Sequence, residues 1–268
     1  MEIWDNDSYT APVDCLINQS IYEYDIKQAN ISILLESGII DESKFNYYAN
    51  LPKIDREISI GLLQRDNPEV AEALKAGFIR ARKALVLSNS ISEFEIINIR
   101  KDAIFTTRKL NKLDFGHIHF KEKNVYTSYY KIFNLVFLYG YRYMNNSKIQ
   151  TETYLDIKGI NKESLKYHKG YLLDIFEDII IGAERESDLF NVVNFIKNFL
   201  IDYVKLNLDL NYYREFNSES KFNIQSKNAN YRLMDMHYSY PVMLNIEYNR
   251  RILERFYQIL LSVAFERG

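Results

Sequence analysis

Two aspartates, Asp25 and Asp102, occupy positions from which carboxylates could hold a metal ion. Asp25 ends a run of strand-forming residues, 21–25, and a helical pattern begins directly after it. Asp102 lies in a polar turn, 100–102, between two segments rich in β-branched and aromatic residues. Hard cations such as Mg²⁺ and Mn²⁺ prefer carboxylate oxygens, and a pair of such ions can stabilise the charge that develops during phosphoryl transfer. The two aspartates therefore indicate a site for metal-dependent chemistry on phosphates.

Each aspartate also has an ordinary structural interpretation. Asp25 could cap the following helix by accepting a hydrogen bond from a backbone N–H. Aspartate is common in tight turns, which would account for Asp102. The structural and the metal-binding interpretations both stay open. They differ in the distance that they require between the two carboxyl groups, and the sequence does not give that distance.

A basic helix separates the two aspartates in the sequence. Asn67 is a suitable N-cap and Pro68 suits the first helical position, so a helix is predicted over 68–87. Arg80 and Lys83 on this helix could neutralise the phosphates of a nucleoside triphosphate. A basic helix face is equally common on a solvated protein surface, so this pattern alone does not decide between the two.

The segments around the aspartates indicate a mixed fold. Residues 94–99 and 103–107 favour the two strands of a hairpin, and residues 116–120 favour another strand. From residue 161 onward the spacing of apolar residues is mostly helical. The sequence therefore predicts an α+β fold, with an antiparallel sheet and helices in a domain of residues 1–150 and a helical domain over residues 151–268.

The composition is that of a globular protein in a reducing compartment. The chain has 268 residues, of which 47% are hydrophobic and 26% charged, and a single cysteine, Cys15. One cysteine excludes a disulfide framework and a cysteine-based zinc site. The N-terminal segment lacks the pattern of a signal peptide, and no stretch approaches about 18 uncharged apolar residues. We expect a cytoplasmic protein that does not contact membranes.

The segment "DIKQANISIL", residues 25–34, resembles motif A of family A DNA polymerases, D-Y-S-Q-x-E-x-R-x-L-A. In this resemblance Asp25 corresponds to the metal-binding aspartate, and Gln28 and Leu34 correspond to the glutamine and leucine of the motif. Asn30 stands where that family has a glutamate that excludes the ribose 2′-hydroxyl. The resemblance implies that Gln28 and Asn30 lie near the incoming nucleotide.

The segment "RKDAIF", residues 100–105, is similar to motif C of polymerases, which is H-D-E in family A and H-D-S-F in single-subunit RNA polymerases. Asp102 corresponds to the aspartate of that motif. Lys101 replaces the histidine, and Ala103 replaces the second acid or serine. The lysine-bearing helix with its Tyr-Gly signature, motif B, has no clear counterpart, so the similarity favours a palm-like fold more than a working polymerase.

The resemblance implies a palm-like antiparallel sheet with a short fingers-like helical insert, followed by a mostly helical C-terminal region. Asp25 and Asp102 would be the catalytic residues and would hold Mg²⁺ or Mn²⁺. Arg80, Lys83 and Lys101 would bind the nucleotide together with the two motif A residues. The partners implied are nucleic acid, nucleoside triphosphates and proteins of a replication or transcription complex.

Three functions remain open from the sequence. The first is nucleotidyl transfer, template-directed or template-independent, by a small virus-like enzyme. The second is a non-catalytic phage accessory protein that binds nucleic acid or a host or phage protein. The third is an interaction protein whose tyrosine-rich helices form an oligomer interface.

Overall fold

The computed structural model describes residues 2–143, 151–160, 171–213 and 240–267. Its strands are β1 (Ser8–Thr10), β2 (Cys15–Ile26), β3 (Ile96–Arg100), β4 (Ala103–Thr106), β5 (Asp114–Phe115), β6 (Ile118–Ile132), β7 (Leu135–Tyr143) and β8 (Thr151–Lys158). Its helices are α1 (Ala29–Glu36), α2 (Glu42–Ala49), α3 (Lys53–Asp66), α4 (Pro68–Ser88), α5 (Leu172–Arg185), α6 (Leu189–Val204) and α7 (Tyr240–Arg267).

The strands form one antiparallel sheet in the order β1-β3-β4-β2-β6-β7-β8, and β5 pairs with β6. Strands β3 and β4 are joined by a tight turn. Strand β4 also pairs with β2, although helices α1 to α4 lie between β2 and β3 in the sequence. After β8 the described residues are helical apart from a short 3-10 turn. The predicted α+β class, with an antiparallel sheet and a helical C-terminal region, is confirmed.

Local signals set the boundaries of several elements. Helix α4 begins at Pro68 because the side chain of Asn67 accepts a hydrogen bond from the backbone N–H of Glu69. The β3–β4 turn falls at residues 101–102, inside the polar stretch predicted to be a turn.

None of the described helices combines the length and the apolar character needed to cross a membrane.

The chain folds into two compact units, each assembled from separate segments of the sequence. The first contains Met1–Val13, Gln19–Tyr126 and Tyr141–Glu152. The second contains Asp14–Asn18, Thr127–Gly140 and Thr153–Gly268. The domains expected from the sequence, 1–150 and 151–268, stay a prediction.

The first unit buries a core between its sheet and its helices, and this core decides which way the side chains of β2 point. Tyr24 and Ile26 pack with Phe78 of α4 in that core. Because successive side chains of a strand point to opposite faces, Glu23 and Asp25 lie on the other face of the sheet. The candidate site is therefore on the face of β2 that helix α4 does not cover.

The second unit has a core rich in aromatic rings. Phe137 of β7, Phe176 of α5 and Phe256 of α7 meet there, with ring centroids 5.1–5.5 Å apart. Tyr130 packs on Phe256 at 5.4 Å. The abundance of phenylalanine and tyrosine in the sequence thus serves hydrophobic packing in this unit.

A close approach of two helices makes Gly77 the tightest glycine position of the first unit. A Cβ atom at Gly77 of α4 would lie 2.1 Å from Cγ2 of Ile33 on α1. We expect Gly77→Ala to lower the free energy of unfolding by about 2 kcal/mol, because the packed helices must move apart. Urea denaturation followed by circular dichroism measures this change.

Gly61 on α3 is the matched control for Gly77. A Cβ atom at Gly61 meets nothing within 4 Å, so Gly61→Ala should raise stability by about 0.5–1 kcal/mol through helix propensity. If Gly77→Ala were as stable as Gly61→Ala, the described contact between α1 and α4 would be wrong.

Candidate active site at the Asp25–Asp102 pair

The pairing of β2 with β4 brings the two predicted aspartates to neighbouring positions. Asp25 is the register partner of Ala103, and the backbone N–H of Ile26 donates to the carbonyl of Asp102 at 3.3 Å. Asp25 lies within strand β2, while the N-cap position of α1 is Gln28. The helix-cap interpretation of Asp25 is therefore wrong.

The carboxyl groups of Asp25 and Asp102 are close enough to affect each other's ionisation. Burial raises the pKa of Asp102, and the neighbouring charge of Asp25 raises it further. A hydrogen bond between two carboxyl groups requires a proton on one of them, and the raised pKa of Asp102 favours that protonated form. The structure thus brings together the two residues that the sequence predicted to be catalytic.

Lys123 of β6 joins this pair to a third carboxylate. Its Nζ atom lies 3.1 Å from Oδ2 of Asp25 and 3.3 Å from Oε1 of Glu23. Burial lowers the pKa of Lys123, but the attraction of Glu23 and Asp25 outweighs it, and the net shift is upward. At neutral pH the ammonium group therefore stays charged and neutralises part of the acidic cluster.

Glu23 supports the site from within the protein and is only 1% exposed. Its carboxylate accepts hydrogen bonds from the hydroxyl of Tyr126 at 2.8 Å and from the side-chain amide of Asn124. With Lys123 also bound, the oxygens of Glu23 are fully engaged. Glu23 consequently holds Lys123 in position and is not available as a metal ligand.

The oxygen donors left for a cation are those of Asp25 and Asp102. Within the part of the chain that the structure describes, no set of three or more His, Cys, Asp or Glu side chains is arranged to hold a metal ion. Mg²⁺, however, is commonly bound by one or two carboxylates and completes its coordination with water and substrate phosphates. The pair suits an ion that binds together with a phosphate substrate when both carboxyl groups are ionised.

Arg80 and Lys83 of α4, which were predicted to bind the triphosphate, do not lie beside the carboxyl pair. Helix α4 packs through Phe78 on the opposite face of the sheet. Arg80 is exposed there, and Nζ of Lys83 lies 3.7 Å from Oε2 of Glu2. The geometry gives no support to the prediction that Arg80 and Lys83 bind a nucleotide.

The other predicted nucleotide-binding residues surround the ends of β2 and β3. Gln28 is exposed and has a left-handed backbone, with φ of 48°. The side-chain amide of Asn30 donates to Glu57 at 3.0 Å. The ammonium group of Lys101 lies 5.2 Å from the ring centre of Phe78. Of these three residues, Lys101 affects the pair through its charge, which lowers the pKa of Asp102. The upward effects of burial and of Asp25 on that pKa are larger.

Sequence reasoning missed Glu23, Lys123 and Arg100. Alternation along a strand could have placed Glu23 beside Asp25, because the two residues are two positions apart. Lys123 and Arg100 come from other strands, and Arg100 lies on the same face as Asp25, with strand β4 between them. Neither of those two could be found without the register of the sheet.

Comparison with known proteins gives one family. A family model described as Bacteriophage PBS1 gene 130 protein matches residues 2–262, nearly the whole chain. A search of the curated proteins gave no match.

Proposed function

We propose a catalytic function for this chain, which belongs to the Bacteriophage PBS1 gene 130 protein family: nucleotidyl transfer at Asp25 and Asp102 with Mg²⁺ or Mn²⁺. One observation carries the proposal. Two acids from the places where a polymerase palm keeps its metal ligands, a strand leading into a helix and a hairpin turn, lie side by side: Asp25 is the register partner of Ala103, and the backbone N–H of Ile26 donates to the carbonyl of Asp102. Membership of a phage family agrees with a viral enzyme but does not specify the reaction.

The reaction joins a hydroxyl group of the acceptor to the α-phosphorus of a nucleoside triphosphate. The hydroxyl oxygen forms a bond to the α-phosphorus, the bond from that phosphorus to pyrophosphate breaks, and the hydroxyl proton passes to water. A divalent cation supplies Lewis-acid stabilisation of the entering and leaving oxygens. Asp25 at the end of β2 and Asp102 in the β3–β4 turn would hold that cation, and Lys123 fixes Asp25 by an ion pair.

The fixed positions of the carboxylates matter because the reaction depends on geometry. Strands β2 and β4 are paired over four residues, so the backbone segments that carry the two aspartates cannot separate without breaking backbone hydrogen bonds. Lys123 also removes one unit of negative charge, which reduces repulsion toward the phosphates of the substrate. With two carboxylates and one ammonium group, we expect one protein-bound cation and a second ion only if the substrate supplies its ligands.

Loss of either aspartate should abolish incorporation of labelled nucleotides. We expect Asp25→Asn and Asp102→Asn each to lower the rate by about 100-fold or more, because an amide binds a divalent cation poorly. The assay supplies primed and unprimed DNA and RNA, all nucleoside triphosphates, and Mg²⁺ or Mn²⁺, since the template and primer requirements are open.

Asp66→Asn is the control for this experiment, since Asp66 is exposed and pairs with Arg65 on helix α3. Its rate should equal that of the wild type. No incorporation by the wild-type protein on any substrate, together with no Mn²⁺ binding that depends on Asp25, would overturn the proposal.

A second function is favoured by the ion pairs of Lys123. An ammonium group that bridges Glu23 and Asp25 can hold β2 to β6 with no metal, as a structural element would. The chain would then be a non-catalytic phage accessory protein that binds nucleic acid or a protein partner. Salt-dependent binding of DNA or RNA in fluorescence anisotropy, without synthesis, would favour this function.

A further inference from the structure

Arg100 stands in the same cross-strand row as Asp25, one member of the carboxyl pair. Arg100 of β3 is the register partner of Ala103 of β4, and Ala103 is the partner of Asp25 of β2. Directly opposed residues of antiparallel strands share one face of the sheet. Because neighbouring strands lie about 4.8 Å apart, the backbones of Arg100 and Asp25 are about 10 Å apart across Ala103.

The neighbours of Arg100 confirm which face it occupies. Ile99 belongs to the core beneath the helices, and the ammonium group of Lys101 lies over Phe78 of α4. Arg100 alternates with Ile99 along β3 and therefore points to the face that carries Glu23 and Asp25. Arg100 and Asp25 therefore flank Ala103 on this face of the sheet.

Arg100 lacks the partners that a partly buried guanidinium group normally has. Its Nε atom is buried and finds no hydrogen-bond acceptor among the described residues, and in the same part of the chain no carboxylate forms an ion pair with it. Asn98, two residues earlier on this face, is 2% exposed, and its Oδ1 atom is likewise without a donor among those residues. Buried polar atoms without partners are few in native proteins and indicate a bound ion, water or ligand.

We propose that Arg100 binds a phosphate group of a nucleoside triphosphate whose divalent cation is held by Asp25 and Asp102. This inference rests on the function proposed above and names the side of the carboxyl pair on which the triphosphate lies. The fork of a guanidinium group matches two oxygens of one phosphate, and arginine is always charged.

The arrangement of charges explains why the anion would lie over Ala103. Lys123 binds Asp25 on the β6 side, so a phosphate arriving there would meet an ammonium group that is already paired with two carboxylates. On the β3 side the charge of Arg100 has no carboxylate partner among the described residues. Between them β4 contributes only the methyl group of Ala103, which is 7% exposed.

Pyrophosphate binding tests the proposal without requiring catalysis. The probe is inorganic pyrophosphate with Mn²⁺, measured by calorimetry, and Mn²⁺ alone is measured by electron paramagnetic resonance. We expect Arg100→Gln to weaken pyrophosphate binding by about 10-fold to 100-fold, the loss typical of a charge-assisted hydrogen-bonded contact. Arg100→Lys should recover part of the affinity, because it restores the charge but not the fork.

Arg80→Gln is the matched control, because Arg80 is an exposed arginine on the opposite face of the same unit. It should bind pyrophosphate like the wild type, and both Arg100 variants should keep Mn²⁺ binding within about twofold, since Arg100 is not a metal ligand. Wild-type pyrophosphate affinity in Arg100→Gln would overturn this inference while leaving the function proposed above in place. Absence of Mn²⁺ and pyrophosphate binding by the wild type would overturn both.

Discussion

Arg82→Met is expected to lower the free energy of unfolding by about 3–4 kcal/mol. Arg82 is 1% exposed, and its Nε atom donates to the carbonyl of Trp4 at 2.9 Å while Nη1 donates to the carbonyl of Lys101. Methionine fills similar space but removes the donor from the carbonyl of Trp4, which is buried, and from that of Lys101, which is partly buried, and each such loss costs about 1–3 kcal/mol. Urea denaturation measures the effect.

The same substitution should also reach the candidate active site. Lys101 precedes Asp102 in the β3–β4 turn, so Arg82 ties this turn to helix α4. With the tie removed, we expect weaker Mn²⁺ binding at the carboxyl pair under conditions in which the variant is still folded. Arg82→Lys should not restore stability, because one ammonium group cannot reach the carbonyls and Asp7 at once.

Arg80→Met on the same helix provides the control for Arg82. Arg80 is exposed, so its replacement should change stability by less than about 0.5 kcal/mol. If the two methionine variants unfolded at the same urea concentration, the anchoring of the hairpin turn by Arg82 would be refuted.

Lys123→Met is expected to lower the free energy of unfolding by about 3 kcal/mol at pH 7. The substitution leaves Glu23, which is 1% exposed, and its neighbour Asp25 without the cation that they share. Removal of one partner from a buried ion pair typically costs about 3–5 kcal/mol, and the exposure of Lys123 places this case at the lower end. Chemical denaturation of both proteins measures the difference.

The pH dependence of that difference follows from the raised pKa of Lys123. A lysine whose pKa is raised on folding contributes stability that is fully present below its unfolded pKa of about 10.4 and is lost as the pH rises through the folded value. The stability difference between wild type and Lys123→Met should therefore be constant from pH 7 to pH 9 and shrink above about pH 10.5.

Lys109→Met separates this effect from a general loss of surface charge. Lys109 pairs with Glu122 at 3.4 Å, and both groups are more accessible to water than the pair of Lys123 and Glu23. Its replacement should cost less than about 1 kcal/mol. Equal costs for the two lysines would mean that the carboxylates do not depend on Lys123.

The candidate site shows which structural features a local sequence pattern can predict. The helix start at Asn67 and Pro68, and the turn that carries Asp102, were predictable because both depend on residues adjacent in the chain. The prediction that Arg80 and Lys83 lie at the carboxyl pair is not supported by the structure, in which helix α4 packs on the opposite face of the sheet. A helical pattern identifies which residues share a helix face, but not which face of the sheet that helix covers.

The sequence by itself determined the α+β class, the hairpin and the two aspartates at the end of β2 and in the turn. The tertiary structure alone decided that these aspartates lie side by side, that Lys123 pairs with Asp25 and with Glu23, which is 100 residues before it, and that Arg100 shares the face of Asp25. The physical reason is the register of the sheet. A shift of one residue in the pairing of distant strands would turn every one of these side chains to the opposite face, and no local pattern fixes that pairing.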